Sequence, residues 1–503
     1  MSQKTYIQIQ KLISSLSSSE ILLSERYTRK YHSKIPDKRM DILIRNILFR
    51  DINKFNYDEF VKHLGIVNEK ALEKKLNRLQ HQIFDAITTE LNRGRQGKLI
   101  SRQRRDRIDV KKLHQKIMIA AGKGLGSITK QYLSQLITKS KRNEFYADLV
   151  EALYMKLDTI FLREKGKKFD LILEEIAHFE ECLAAERKSH LLLMKWMQQI
   201  TFSQAKKEEG FILSAIRTTK SLAKKTKSKR VLFIAFQLQM EYQQHAGNYN
   251  KSNYYCRKML VLMQEHPFLH KKRNEGGVLM NMAHNSLWAG KLKECEQQLQ
   301  MATDFFVANS FNTLILKEVS FKLAFLQGNI RLAKEVATQM CAAKRVQKNA
   351  FLHSKWSYHL ACCYFLQGEY THCLLSLNDC KELQSDKIGW QLSIEVLKIA
   401  SLIERKLWDV ASDEINYLQR LHNNQRLKAR DKTALRVLQS MQEEGFSFKK
   451  VYPMHKSSLS KLSSTKGWYQ QETQTPELFL FDEWFMSKLE GRAYQPNYKQ
   501  LLK

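Results

Sequence analysis

Proline and glycine are scarce in this chain, 5 and 18 of 503 residues, which excludes collagen-like and turn-dense β architectures. No segment alternates apolar and polar residues convincingly at period two. VLFIAF (231–236) has a strand-like composition but runs without a break into AFQLQMEYQQ, so a buried helix is expected there. No stretch approaches the ~18 apolar residues of a membrane-spanning helix. The opening MSQKTYIQIQKLISSLSSSE has no basic region leading into a long apolar one, so no export signal and a cytoplasmic location are expected. The 8 cysteines form no CxxC pair and are expected as reduced core residues rather than metal ligands. HExxH, GxSxG and kinase-type loops are missing, and the 15 histidines are scattered. AGKGLGSITK (121–130) has the glycines of a phosphate loop in the wrong order and no strand before it, so it reads as a helix junction. No catalytic residue, metal or cofactor is therefore expected, and the chain reads as a non-enzyme.

What is present is a recurrence. A glycine or its stand-in is followed two places on by an apolar or aromatic residue and five places on by a small one: Gly210/Ile212/Ala215, Gly247/Tyr249/Ser252, Gly290/Leu292/Cys295, Gly328/Ile330/Ala333, Gly368/Tyr370/Cys373 and Lys406/Trp408/Ala411. The steps between first positions are 37, 43, 38, 40 and 38 residues, the period of a helix-turn-helix unit that buries its apolar face by stacking on its neighbours. Each glycine supplies the positive φ that ends one helix, and the small residue lets the next helix approach closely. The clearest unit, HLACCYFLQGEYTHCLLSLNDC (359–380), carries Leu360, Ala361, Tyr364, Gly368, Tyr370 and Cys373. It resembles the tetratricopeptide repeat, in divergent form, over residues 210–421. Ser286 and Ala324 stand where that unit has Tyr364, and no regular proline closes the repeats. The resemblance implies an all-α solenoid that offers a concave surface to a peptide or helix of a protein partner. GKKFDLILEEI resembles a degenerate repeat opening, so the array is expected to start before Gly210.

Acidic residues are few beside basic ones, 51 against 84, for a formal charge of +33. That balance favours contact with a polyanion without naming it. The densest run, 93–112, holds Arg93, Arg95, Lys98, Arg102, Arg104, Arg105 and Arg107 and reads equally as a phosphate-contacting segment or a solvated linker. A second group, Lys224, Lys225, Lys227, Lys229 and Arg230, falls in a turn between two helices and would share a solenoid edge with Lys271, Lys272 and Arg273. Residues 53–91 suggest a short helix, a turn at 65–68 and a longer helix capped by Asn68, a shape compatible with a helix-turn-helix or with ordinary packing. Trp288, Trp356, Tyr358 and Trp408 lie at repeat spacing and read as inter-helix packing rather than base-stacking platforms.

The last sixty residues differ from the rest: Ser-, Thr- and Gln-rich to Pro476, then apolar in ELFLFDEWFMSKLEG. Phe479, Phe481, Trp484 and Phe485 are expected to form a docking segment that folds back on the solenoid, since an exposed patch of this size invites aggregation. The expected layout is an N-terminal helical domain (1–92), a basic linker (93–112), a helical region (113–209), the solenoid (210–440) and the tail (441–503). Two functions fit: a non-enzymatic cytoplasmic scaffold that binds a protein partner, or a nucleic-acid-binding protein that uses residues 53–112 and keeps the repeats as a regulatory module.

Overall fold

The computed structural model describes residues 2–14, 21–22, 24–25, 56–64, 69–93, 102–160, 166–202, 209–306, 310–381, 390–422, 429–464 and 478–498. Regular structure among them is helical throughout. The chain divides into two compact units, Met1–Phe179 and Glu180–Lys503.

In the first unit the helices are α1 (Ser2–Ser14), α2 (Tyr57–Leu64), α3 (Glu69–Arg93), α4 (Arg102–Gly122), α5 (Gly126–Arg142) and α6 (Tyr146–Ile160). The apolar stripe of α3, Leu72, Leu76, Leu79 and Ile83, is buried against Tyr6, Ile9 and Ile13 of α1 and Phe60 of α2. That spacing of three and four residues is what puts one face of a helix against its neighbours. The four-residue turn and Asn68 expected between α2 and α3 lie outside the described residues. Val110, Leu113 and Ile117 of α4 close on Leu133 and Leu136 of α5, with Phe145 and Ala152, as a second core. The junction at 121–130 is a helix turn: α4 ends at Gly122, Gly124 takes φ +69, and α5 starts at Gly126.

One expectation changes here. The run 93–112 is not a linker along its length, because Arg102–Lys112 forms the first turns of α4. Arg105, Arg107 and Lys111 look like a charge block in sequence, yet Val110 and Leu113 among them supply the apolar stripe that a helix needs to dock. Arg95 and Lys98 lie outside the described residues.

Helix α7 (Lys167–Phe202) contains the division between the units. Beyond it come α8 (Glu209–Thr226), α9 (Lys229–His245), α10 (Tyr249–Glu265), α11 (Lys272–Trp288), α12 (Leu292–Thr303), α13 (Phe311–Leu326), α14 (Ile330–Ala342), the short α15 (Lys344–Gln347) and α16 (Ala350–Leu366). The array continues with α17 (Tyr370–Leu377), α18 (Trp390–Glu404), α19 (Trp408–His422), α20 (Ala429–Glu443), α21 (Phe448–Ser464) and α22 (Phe481–Leu489). From α8 on, successive long helices pack on one another, and the first helices of neighbouring pairs also meet, α11 on α13 and α16 on α18. This is a stack of helix pairs, the solenoid arrangement.

The recurring positions sit at equivalent places in the pairs. Gly247, Gly290, Gly328 and Gly368 take φ of 74, 74, 77 and 75°, and Lys406 follows with φ 58°. Each of the five lies in the turn after the first helix of its pair. In that turn the residue after the positive-φ position sends its N–H back to a carbonyl five residues earlier, as Asn329 does to Ala324. Five residues past each turn, Ser252, Cys295, Ala333, Cys373 and Ala411 are fully buried. Gly210 is different. It is the second residue of α8 rather than a helix terminator, and no positive φ is recorded for it.

Candidate functional site

Two features stand out on the faces of α13 and α16, and the first is a buried charge cluster. Helix α13 is apolar, FNTLILKEVSFKLAFL, and its buried residues include Leu316, Val319, Phe321 and Phe325. Glu318 and Lys322, one turn apart on it, form an ion pair in which Lys322 Nζ donates to Glu318 Oε1 at 2.7 Å. Lys355 of α16 donates to the other oxygen, Oε2, also at 2.7 Å. The side chains are only 23% (Glu318), 8% (Lys322) and 14% (Lys355) exposed.

Aromatic rings wall this cluster. Phe321 stacks on His359 at 4.5 Å and meets Trp356 edge-on at 5.7 Å, while Lys322 Nζ stands 6.0 Å from the centre of the Trp288 ring. Burial by itself would raise the Glu318 carboxyl, but the ammoniums of Lys322 and Lys355 hold it well below the ordinary carboxylate range. Burial pushes Lys355 down, with Glu318 opposing and Lys322 adding to the fall. His359 is pushed well down by burial and by Lys355, and His284 to about 4 by burial and by Lys322, so both imidazoles are neutral at neutral pH.

The second feature is the C-terminal segment. Leu478, Phe479, Leu480, Phe481, Trp484 and Phe485 are buried within the second unit. Phe479 meets Phe365 of α16 at 4.9 Å, Tyr498 meets Phe325 of α13 at 4.9 Å, and Phe485 meets Phe448 of α21 at 5.1 Å. Polar groups complete the seat. Trp484 Nε1 and Lys488 Nζ both donate to Glu404 at the end of α18, Tyr498 Oη donates to the Leu478 carbonyl at 2.6 Å, and the Leu480 N–H donates to Tyr494 Oη at 2.8 Å. Phe325 and Phe321 are one turn apart with ring centres at 5.6 Å, so Tyr498 and the charge cluster share one face of α13.

The other residues singled out in the sequence fall in several places. Tyr364 is half-buried under Lys334, whose Nζ is 4.5 Å from the ring centre, and Tyr370 packs edge-on against Phe365 at 5.3 Å. Trp288, Trp356 and Tyr358 are buried, whereas Trp408 is 40% exposed and stacks on Phe446 at 5.0 Å. Arg107 lies over the Phe145 ring at 4.3 Å and pairs with Asp148, to which Lys111 Nζ also donates at 2.6 Å. Arg105 is exposed, and Arg93, Arg102 and Arg104 are on helices α3 and α4. Lys224 and Lys225 end α8, Lys227 takes φ 57° in the turn, and Lys229 and Arg230 open α9. Lys225 pairs with Glu181, and Arg230 lies 5.4 Å from the centre of the Phe268 ring, which brings this turn beside the one that carries Lys271, Lys272 and Arg273.

The charge cluster does not declare itself in the sequence. Its signal is a Glu and a Lys four apart inside a largely apolar helix, but such pairs normally read as a solvated face.

Among the described residues, no group of three or more His, Cys, Asp or Glu is placed to hold a metal ion, and no helix is long and apolar enough to cross a membrane. No family model matches the chain, and no curated protein does. The crystal structure of the apo form of RapI is similar over 71% of this chain and 95% of that one, with a TM-score of 0.43 and 10% identity, a likeness too slight to carry functional meaning.

Proposed function

We propose that the second unit is a divergent tetratricopeptide-like array serving as a non-enzymatic, cytoplasmic scaffold for a protein partner, held through the faces of its first helices. One observation carries the reading: α13, α16 and α18 already seat a short aromatic segment, Leu478–Tyr498, through buried rings and through Glu404. A face that accepts one such segment has the shape and chemistry to accept another. The repeat register supports it, with a turn residue at positive φ and a buried small residue five places on in five successive pairs. Site-specific photo-crosslinking in cells tests it. A benzophenone side chain at Met280, which stands ten residues before its turn glycine as Glu318 does, should trap a discrete protein after nuclease treatment, and one at Leu375 on a second helix should not. Loss of every crosslinked protein with nuclease would reject the scaffold.

The pairing of two basic turns through Arg230 and Phe268 favours a second reading, in which that edge contacts a polyanion. Under it the same nuclease treatment releases the partner.

A further inference from the structure

We infer that the turn joining α4 to α5 is a membrane-contact tip, whose apolar side chains enter the headgroup layer of an anionic lipid surface. The inference concerns the first unit and stands apart from the scaffold proposed for the second.

Packing turns the apolar residues at this end outward. Val110, Leu113, Ile117 and Ala120 recur at helical spacing and are buried, the first three against Leu133 and Leu136 of α5. Met118 and Ile119 fall between two of those positions, so the same period points them away from the core, and they are 68% and 60% exposed. Past the turn, Leu125 and Ile128 are 44% and 38% exposed. Four large apolar side chains thus stand in solvent within eleven positions of one hairpin end. Incidental exposed apolar residues are scattered singly, and a group of them marks a contact. Between them, Ala121 to Gly124, Gly126 and Ser127 are exposed as well. A Cβ added at Gly122 or Gly126 would meet nothing within 4 Å, and neither residue takes a positive φ. These two glycines serve neither the turn nor the packing, and their effect is to keep the end narrow.

The charge around the tip has one sign. From Val110 to Asn143 the sequence holds eight Lys and Arg residues and no Asp or Glu. In the half of the hairpin away from the turn these cations are matched, Lys111 by Asp148, Lys112 and Lys139 by Asp109, and Lys141 by Glu175. At the turn they are not. Lys116, Lys123 and Lys130 are exposed, and among the described residues none of the three pairs with a carboxylate; Lys116 Nζ instead lies 5.2 Å from the centre of the Tyr132 ring. Asp158, which α6 carries back toward this end, is exposed and pairs with none of them.

Apolar and cationic groups interleaved on a projecting end match one kind of partner. An anionic bilayer offers charge at its headgroups for the lysines and, just beneath, hydrocarbon for Met118, Ile119, Leu125 and Ile128. A nucleic acid would take the lysines through its phosphates and leave the aliphatic side chains in water. A folded protein would need a concavity shaped to surround the end, whereas a bilayer yields to any convex shape. The contact is superficial and reversible, since no described helix is long and apolar enough to cross a membrane.

The test uses the full-length protein and co-sedimentation with vesicles of phosphatidylcholine, alone or in equal parts with phosphatidylserine. Saturable binding to the mixed vesicles and little to phosphatidylcholine alone is expected. A chain of formal charge +33 can meet anionic lipid through any basic surface, so insertion is read separately. An environment-sensitive dye on Leu125→Cys should shift to the blue with mixed vesicles, and the same dye on Leu375→Cys, exposed in the second unit, should not. The native thiols are buried except for the half-buried Cys341, so the introduced cysteine reacts first. Met118→Ser combined with Ile119→Ser should weaken vesicle binding by about tenfold or more with every lysine kept, and Lys123→Gln should weaken it by about fivefold. Absence of binding to mixed vesicles, no shift at Leu125, or undiminished binding by the double serine variant each overturns the inference. A change at Leu125 on adding duplex DNA, with none on adding vesicles, assigns the tip to nucleic acid and overturns it likewise. Should the serine variant fail to fold by circular dichroism, the dye at Leu125 decides.

Discussion

Trp484 Nε1 donates to Glu404 Oε1 at 2.7 Å across eighty residues of chain, and the indole that makes this bond is wholly buried. The same carboxylate takes Lys488 Nζ on its other oxygen at 2.5 Å. One turn of α22 is thereby clamped to the end of α18, and the aromatic rings around it cover the joint.

Trp484→Ala should therefore cost ~3–5 kcal/mol, as large-to-small changes in cores do. Glu404→Gln keeps an acceptor for the indole and lets Lys488 turn to solvent, so its cost should be nearer ~1 kcal/mol. Chemical denaturation together with limited proteolysis checks both. Trp484→Ala should open 478–498 to cleavage, while Glu404→Gln leaves it protected.

Three glycines should respond to alanine in three ways. At Gly328, with φ +77, nothing lies within 4 Å of an added Cβ, and the backbone alone should make the variant less stable by ~1 kcal/mol. At Gly276 the new Cβ would stand 2.5 Å from Phe305 Cβ and 2.9 Å from Phe306 Cζ, an overpacking expected to cost ~1–3 kcal/mol. Gly210 is helical and unobstructed, and its alanine variant should gain ~0.5 kcal/mol. Thermal melts of the three variants give the order directly.

Acid should loosen α4 from α6 in a definite window. Burial raises the Asp148 carboxyl, but hydrogen bonds from His114 and Lys111 and the charges of Lys111 and Arg107 outweigh it and lower the group to about 2. A depressed carboxyl contributes stability that is present above its unfolded value near 4 and is lost as pH falls through about 2. The loss is on the order of 2 kcal/mol. Asp148→Asn should flatten the stability of the first unit between those pH values, as read by denaturant melts with a probe on α6. A slope unchanged from the wild type would assign the acid sensitivity to other carboxylates.

The thiols should be inert in the native protein. None of the 8 cysteines is in a disulfide, and all but Cys341 are buried. Burial pushes Cys256, Cys295 and Cys373 up to about 12 and Cys341 to about 11, which leaves little of the reactive thiolate at neutral pH. A short pulse of iodoacetamide read by mass spectrometry should modify Cys341 first and slowly, and all 8 only in denaturant.

What is legible in the sequence is local. A glycine that must take positive φ and a small residue five places on both act within one helix-turn-helix unit, so Gly328 with Ala333 and Gly368 with Cys373 declare themselves without knowledge of neighbours. Helix α9 is readable for the same reason, because VLFIAF continues into a residue pattern with no strand alternation. The charge cluster is not, since Glu318 and Lys355 are joined by stacking and stand 37 residues apart. Asp148 and Lys111, also 37 apart, escape likewise. In residues 102–112 the charge hides a helix whose apolar stripe begins only at Val110. Gly210 matches the pattern by spacing but lies inside α8, where glycine has no conformational task.

Between α10 and α11 lies a knot of four small polar side chains. Asn285 Nδ2 donates to Ser252 Oγ at 2.8 Å and to Asn253 Oδ1 at 3.0 Å, Asn253 Nδ2 donates to Ser286 Oγ at 3.0 Å, and Ser252 Oγ donates to the Met240 carbonyl at 3.0 Å. Leucine and alanine faces tolerate sliding, because one apolar contact replaces another at little cost. These amides do not, since a slip of one turn would strand buried donors at ~1–3 kcal/mol apiece. The knot works as a key cut for a single lock: pairs that look interchangeable in sequence are not, and a copy of α11–α12 moved elsewhere in the stack would arrive without its counterpart.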